Sequence, residues 1–179
     1  MAYRRLRLMK NAGYMHYRRL LADQNGVYFP TRQMIDIAED TISPIKDINL
    51  SKYMHDNLFL WFILKNNFNI VSSERELRQN AGFGFNGQRK HIPDATFYTG
   101  NGWGDLAAIE FEITEKSSER LKNTLRSLSA EYAITIYFVD TSKLKKKIED
   151  LVSTCFISNI KVIQIDEHLM IPADYLNWL

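Results

Sequence analysis

One cysteine in 179 residues leaves no partner for an internal disulfide and rules out a zinc site built on cysteines. Cys155 lies in an apolar run and reads as a small buried residue of a chain kept in a reducing compartment. The four histidines, His16, His55, His91 and His168, show no metal-ligand spacing. No apolar run approaches the roughly 18 residues a membrane helix needs, and the longest, Leu58 to Leu64, falls far short. The amino terminus, MAYRRLRLMKN, is charged and has no apolar signal core. Internal repeats and low-complexity tracts are lacking as well. Together these absences predict a cytoplasmic protein with no membrane association.

Hydrophobic residues make up 45% of the chain, enough for the core of one ordinary domain with a small appendage. Net charge is only +2, but it is unevenly placed. Residues 1–32 hold seven basic side chains (Arg4, Arg5, Arg7, Lys10, Arg18, Arg19, Arg32) against one acid, Asp23, so the rest of the chain is net acidic. A basic end of this kind suits phosphate or another polyanion, while its bland alternative is a solvated face.

Residues 3–11 predict a helix with Leu6 and Met9 on one side, ended by Gly13. Tyr14 to Leu21 and Val27 to Phe29 read as strands joined at Asp23-Gln24-Asn25-Gly26, and Pro30-Thr31 opens a brief helix to about Ala38. Helix, hairpin, helix is the pattern of the second half of a winged helix. Residues 1–45 are therefore expected to be a partial winged-helix segment and 46–179 the main domain.

In that domain Ser51 is the expected cap of a helix running to about Asn67, followed by a strand at 68–72 and one or two helical turns at 73–77. A glycine-rich loop (80–90) leads to strands at 94–99 and 106–113, joined by a hairpin loop carrying Trp103. Ser117 or Ser118 caps the next helix, an apolar strand spans 133–139, a helix spans 143–152 and a strand 160–165. The order, helix, three strands, helix, strand, helix, strand, predicts an α/β domain with a mixed sheet.

Chemistry points to Asp94, Glu110 and Glu112. Paired as a hairpin, the strands at 94–99 and 106–113 bring the start of one beside the end of the other. Glu110 and Glu112 then share a face at roughly 7 Å between Cα atoms. Such carboxylates repel one another unless a hard cation such as Mg²⁺ or Mn²⁺ joins them, and that combination activates an oxygen nucleophile beside a phosphodiester. Lys116 follows, placed to stabilise charge on the phosphate. Two acids on a half-solvated strand are the plain alternative. Arg89, Lys90 and His91 precede Pro93-Asp94 and read as a grip on DNA phosphates or as a solvated loop. Trp103 reads as a turn anchor or a base stack, and the KLKKK run (143–147) as the solvent face of a helix or, less often, a second phosphate track.

Pro93-Asp94, fifteen residues, then Glu110-x-Glu112 in this element order resembles the PD-(D/E)XK nuclease superfamily, with its restriction endonuclease-like core of helix, three strands, helix and strand. The usual third motif ends in lysine where this chain has Glu112, and Lys116 resembles a lysine moved toward the following helix. Ile92-Pro93-Asp94, the block Ala108 to Ser117, Arg120, His55-Asp56 and Ser73 to Leu77 further resemble the MobC-type relaxases of the replication-relaxation family. The resemblance implies metal-dependent nicking of DNA at a plasmid or mobile-element transfer or replication origin. It implies Asp94, Glu110 and Glu112 as metal ligands, and a catalytic role for Lys116 and for His55 as base or phosphate contact. Double-stranded or supercoiled DNA, with relaxosome accessory or coupling proteins, is the expected company, and Arg4, Arg5, Arg7, Lys10, Arg18, Arg19, Arg89 and Lys90 the expected DNA contacts. A catalytically silent DNA-binding accessory protein is the alternative, and a winged-helix repressor with an unrelated partner domain a third. Hydrolysis and attack by one of the nine tyrosines both stay open.

Overall fold

The computed structural model describes residues 2–20, 26–40, 43–45, 50–81, 90–99 and 106–166. Two compact units are distinguished, residues 1–57 and residues 58–179.

The first unit opens with α1 (Ala2–Asn11), followed by β1 (Met15–Arg18), β2 (Val27–Pro30) and α2 (Arg32–Ile37). Gly13 ends α1 at φ +81, and the Gly13 and Tyr14 N–H groups donate to the carbonyls of Lys10 and Met9 at 3.0 and 2.9 Å. That pair of bonds is a Schellman closure, which needs the left-handed conformation glycine adopts at no steric cost. Leu6 and Met9 are half-buried, whereas Arg4, Arg5, Arg7 and Lys10 are exposed. β1 and β2 pair antiparallel from Met15↔Pro30 to Arg18↔Val27. Most of the expected Asn-Gly turn (residues 23–25) lies outside the described residues. The Thr31 hydroxyl caps α2 by accepting from the Met34 N–H at 3.4 Å, and Phe29 and Ile35 form a small core.

α3 (Leu50–Lys65) runs from the first unit into the second. Ser51, the expected cap, lies inside it instead, because Leu50 is already helical. In the second unit β3 (Ile70–Ser73), β4 (Ala95–Tyr98), β5 (Leu106–Glu112), β6 (Ile134–Val139) and β7 (Ile160–Gln164) form one sheet in sequence order. β3 to β5 make an antiparallel meander, and β5, β6 and β7 run parallel. α4 (Glu74–Asn80) links β3 to β4, α5 (Ser118–Glu131) links β5 to β6, and α6 (Ser142–Thr154) links β6 to β7. The expected mixed α/β order is thus observed. Ser73 caps α4 in a reciprocal capping box with Glu76. Ser117 caps α5 and Thr141 caps α6.

Strand alternation divides the core between the two faces of the sheet. Ala107, Ile109 and Phe111 of β5 join Phe97, Ile136, Phe138 and Ile163 against Phe62 of α3, whose ring lies 4.6 Å from Phe138 and 5.2 Å from Phe111. On the opposite face Ala108, Tyr137, Val139 and Val162 meet Leu121, Leu125 and Leu128 of α5 and Leu144 and Ile148 of α6. Helices therefore cover both faces, and burying a side chain the size of leucine there contributes about 1.5–3 kcal/mol. Cys155, expected to be buried, is instead the partly exposed residue that caps α6. Among the described residues no helix is long and apolar enough to cross a membrane.

Candidate active site

The hairpin of β4 and β5 builds the site. Its register sets Ala95 opposite Ile109, so Asp94, just before β4, stands beside Glu110. The Asp94 N–H donates to the Ile109 carbonyl at 3.0 Å, and Asp94 Oδ2 accepts from the Phe111 N–H at 2.8 Å. This carboxylate therefore splices the start of β4 to the end of β5, a role the sequence reading did not assign it.

Glu110 and Glu112 alternate with the apolar residues of β5 and lie on the face covered by α5 and α6. Neither is solvated, at 4% and 2% exposure, which removes the reading of two acids on a wet sheet surface. A buried carboxylate is tolerated only when paired and hydrogen-bonded, and the partners are specific. Lys116 lies four residues beyond Glu112, in the turn before α5, with its side chain only 20% exposed. Its ammonium is in ion-pair contact with Glu112 Oε2 and stands 3.8 Å from Glu110 Oε1. Glu112 Oε1 accepts from the Thr114 hydroxyl at 2.9 Å. Oε2, apart from the Lys116 contact, is buried without an aligned hydrogen-bond donor.

His91 is the residue whose place the sequence reading missed. Read as part of a phosphate grip, it instead sets Nε2 3.0 Å from Glu110 Oε2, and its backbone N–H donates to Ser127 Oγ of α5 at 3.2 Å. The available signal was proximity in sequence, since His91 precedes Asp94 by three residues. Tyr137 was also passed over. It is the parallel-sheet partner of Glu110, on the same face and fully buried, and its hydroxyl has no hydrogen-bond partner. Burial first, then Glu110, Glu112 and Asp94, push its ionisation well above the usual tyrosine range.

A further layer comes from α6. Lys147 Nζ donates to the Lys116 carbonyl at 2.8 Å and to Glu115 Oε1 at 3.3 Å, and Lys143 Nζ reaches Glu115 Oε2 at 3.1 Å. Lys143 and then Lys147 hold the Glu115 carboxyl below its usual range. The KLKKK run is thus more than a solvent face, since two of its lysines tie down the turn that presents Lys116.

The other expected site residues fall as follows. His55 lies in the part of α3 that belongs to the first unit, with Nδ1 3.4 Å from Asp56 Oδ1, which Lys52 Nζ also approaches at 3.4 Å. Burial alone would raise the Asp56 carboxyl, but its bonds to His55 and Lys52 outweigh that and lower it. Arg4, Arg5, Arg7, Lys10, Arg18 and Arg19 are exposed in the first unit, with Lys10 over the Tyr17 ring. Lys90 is exposed and pairs with Glu131 at 3.0 Å. Arg89, Trp103 and the glycines of the 82–89 loop lie outside the described residues.

Among the described residues, no three His, Cys, Asp or Glu side chains stand grouped as a metal-binding set. Lys116 occupies the space between the two glutamates, and Asp94 Oδ2 is turned to the Phe111 backbone. Two buried carboxylates, Glu110 and Glu112, thus share one lysine ammonium, with Asp94 Oδ2 engaged by the Phe111 N–H beside them. The chain matches no protein-family model, no curated protein and no solved structure.

Proposed function

We propose that this protein is a metal-dependent DNA nuclease of the relaxase type, nicking DNA at a plasmid or mobile-element origin. The observation that carries the reading is the buried pair Glu110 and Glu112, joined to Lys116 at the end of β5 with Asp94 beside them. Buried like charges cost free energy that a purely structural sheet end has no need to bear, and strained electrostatics of this kind concentrate where chemistry is done. The antiparallel meander followed by parallel crossover strands supports a restriction endonuclease-like core. The helix–hairpin–helix of the first unit, with its exposed arginines, supports a winged-helix-like DNA contact. Relaxosome accessory or coupling proteins are the partners this reading implies.

Glu110 and Glu112, with Asp94, would hold Mg²⁺ or Mn²⁺. When bound, such an ion supplies an acidified water and a Lewis acid for the phosphate. The chain's own residues do the rest. Lys116 sets a positive charge beside the carboxylates, where negative charge builds on a phosphodiester under attack. His91, bonded to Glu110, is within reach to exchange a proton at Nε2. The Asp94 bond to Phe111 N–H holds the two strands in register so that these groups keep their spacing. Tyr137 is unsuited to attack on phosphorus, since burial and three neighbouring carboxylates disfavour its phenolate, and hydrolysis at this site is the simpler chemistry.

A second reading, a silent DNA-binding accessory protein, draws on the Lys116–Glu112 contact, which neutralises one acid without any metal. Supercoiled plasmid carrying the DNA that flanks the gene separates the two. Nicking should require Mg²⁺ or Mn²⁺, stop in EDTA and vanish in Glu110→Ala and Asp94→Ala. Asp94→Asn, which keeps an acceptor for the Phe111 N–H, should lose activity yet keep its fold. Absence of metal-dependent nicking, with DNA bound equally well in EDTA by all these forms, would leave the accessory role.

A further inference from the structure

We infer that the exposed row Arg120, Asn123 and Arg126 of α5 is a phosphate-binding ridge, over which the DNA strand runs as it leaves the carboxylate cluster at the end of β5. The inference rests on the nuclease reading above and names the surface of the second unit that meets DNA. Its starting point is how the basic side chains of that unit are engaged. Lys90 pairs with Glu131 at 3.0 Å, Lys145 with Glu149 at 3.8 Å, Lys143 and Lys147 with Glu115 at 3.1 and 3.3 Å, and Lys116 with the buried glutamates. Among the described residues of this unit, the basic side chains without a partner are Arg120, Lys122, Arg126 and Lys146, and the first three lie on α5. A lysine held by a carboxylate must break that bond before it takes a phosphate, whereas a solvated guanidinium offers its planar fork of donors at once. The lysine-rich α6 is therefore the poorer phosphate surface.

Placement selects two of the three cations on α5. Leu121, Thr124, Leu125 and Leu128 are its buried residues. Positions 120, 123 and 126 follow one another at three-residue steps along the outer surface, and all three are exposed. Lys122 is half-buried and stands off this row. From Arg120 to Arg126 the row rises about 9 Å, enough to set the two guanidiniums on separate phosphates of one strand, with the Asn123 amide as a neutral donor between them. The near end of the row is at the site. Ser117 caps α5 directly after Lys116, so Arg120 stands one turn beyond the lysine that contacts Glu110 and Glu112. Farther along, Ser127 accepts from the His91 N–H and Glu131 takes Lys90, which seats the segment leading to Asp94 against the same helix. Of the two acids on α5, Glu131 is thereby neutralised, and Glu119 alone stands beside the row uncompensated.

The test measures the affinity of the full chain for a fluorescein-labelled DNA duplex by anisotropy across a salt series, in EDTA so that nothing is cut. The double variant Arg120→Gln with Arg126→Gln should unfold in urea as wild type does, because neither side chain has a bond to lose among the described residues. It should flatten the slope of log affinity against log salt concentration by about 1.8, for two phosphate contacts removed. The control is Lys145→Gln with Lys146→Gln on α6, which removes the same charge and should leave the slope at its wild-type value. An unchanged slope in the arginine variant would overturn the inference. An equal fall in the lysine variant would also overturn it, by showing that diffuse charge and not this ridge meets DNA. Wild type that fails to bind the duplex would sink the nuclease reading together with the inference. Wild type that binds, and nicks plasmid in Mg²⁺, beside an arginine variant of unchanged slope would sink the inference alone.

Discussion

In the proposed nuclease, Lys116 joins stability to chemistry in a single side chain. With Glu110 and Glu112 almost wholly out of water, its ammonium is the fixed positive charge that contacts both. Removing one member of a buried pair strands the other, at a typical cost of about 3–5 kcal/mol. Lys116→Met keeps most of the apolar stem and deletes the charge. In EDTA, urea unfolding of Lys116→Met should therefore show a loss of about 3 kcal/mol or more, and adding Glu112→Gln should restore most of it. Mn²⁺ should also restore part of the loss, because a cation replaces the missing charge. A single variant as stable as wild type would mean that solvent already reaches these carboxylates.

At the scale of elements, the site depends on a contact between α6 and the turn before α5. Lys147 ties that turn by the Lys116 carbonyl and the Glu115 carboxylate, with Lys143 on the same acid. Glu115 is exposed, so its ion pairs add little to global stability. Their effect is local, in fixing the backbone from which Lys116 reaches inward. Lys147→Met should leave unfolding stability nearly unchanged and still slow the proposed metal-dependent nicking about tenfold, as single-turnover time courses would show. Glu115 also gives the clamp a pH limit. Its carboxyl is lowered in the folded state, so the contribution is complete above the usual 4.5 and is lost as pH falls through the lowered value. Wild type and Lys147→Met should therefore converge in acid and differ most at neutral pH.

For the whole molecule, charge is divided between the two units. Six of the expected DNA contacts (Arg4, Arg5, Arg7, Lys10, Arg18 and Arg19) are exposed in the first unit, while the buried acids belong to the second. Binding and cutting should accordingly be separable. Each phosphate contact removed lowers the slope of log affinity against log salt concentration by about 0.9. Replacing Arg4, Arg5 and Arg7 together with glutamine should weaken DNA binding and flatten that slope by up to about 3, while Mn²⁺ binding by the second unit stays at its wild-type value. Fluorescence anisotropy across a salt series measures the slope, and an unchanged slope would remove α1 from the DNA contact.

Much of this molecule was determined locally and could be read without a structure. The end of α1 at Gly13, the caps at Thr31 and Ser117, the hairpin of β4 and β5 and the apolar β6 all follow from residue chemistry a few positions apart. Asp94, Glu110, Glu112 and Lys116 could be grouped on the same basis, since strand alternation and hairpin register are short-range rules. Where local signals fail, boundaries slip. Phe156 takes the left-handed conformation that closes α6, at φ +54, and no glycine announces it, so the helix runs past its expected end at Val152. Tertiary structure alone decided the rest. Covering the Glu110 face with α5 and α6 turned two ordinary strand glutamates into buried ones. Sheet order brought Tyr137 beside Glu110, and α6 delivered Lys147 to the Lys116 turn from 31 residues away. Burial and cross-strand partnership depend on what distant segments cover, and no spacing along a chain encodes which helix will lie over which face.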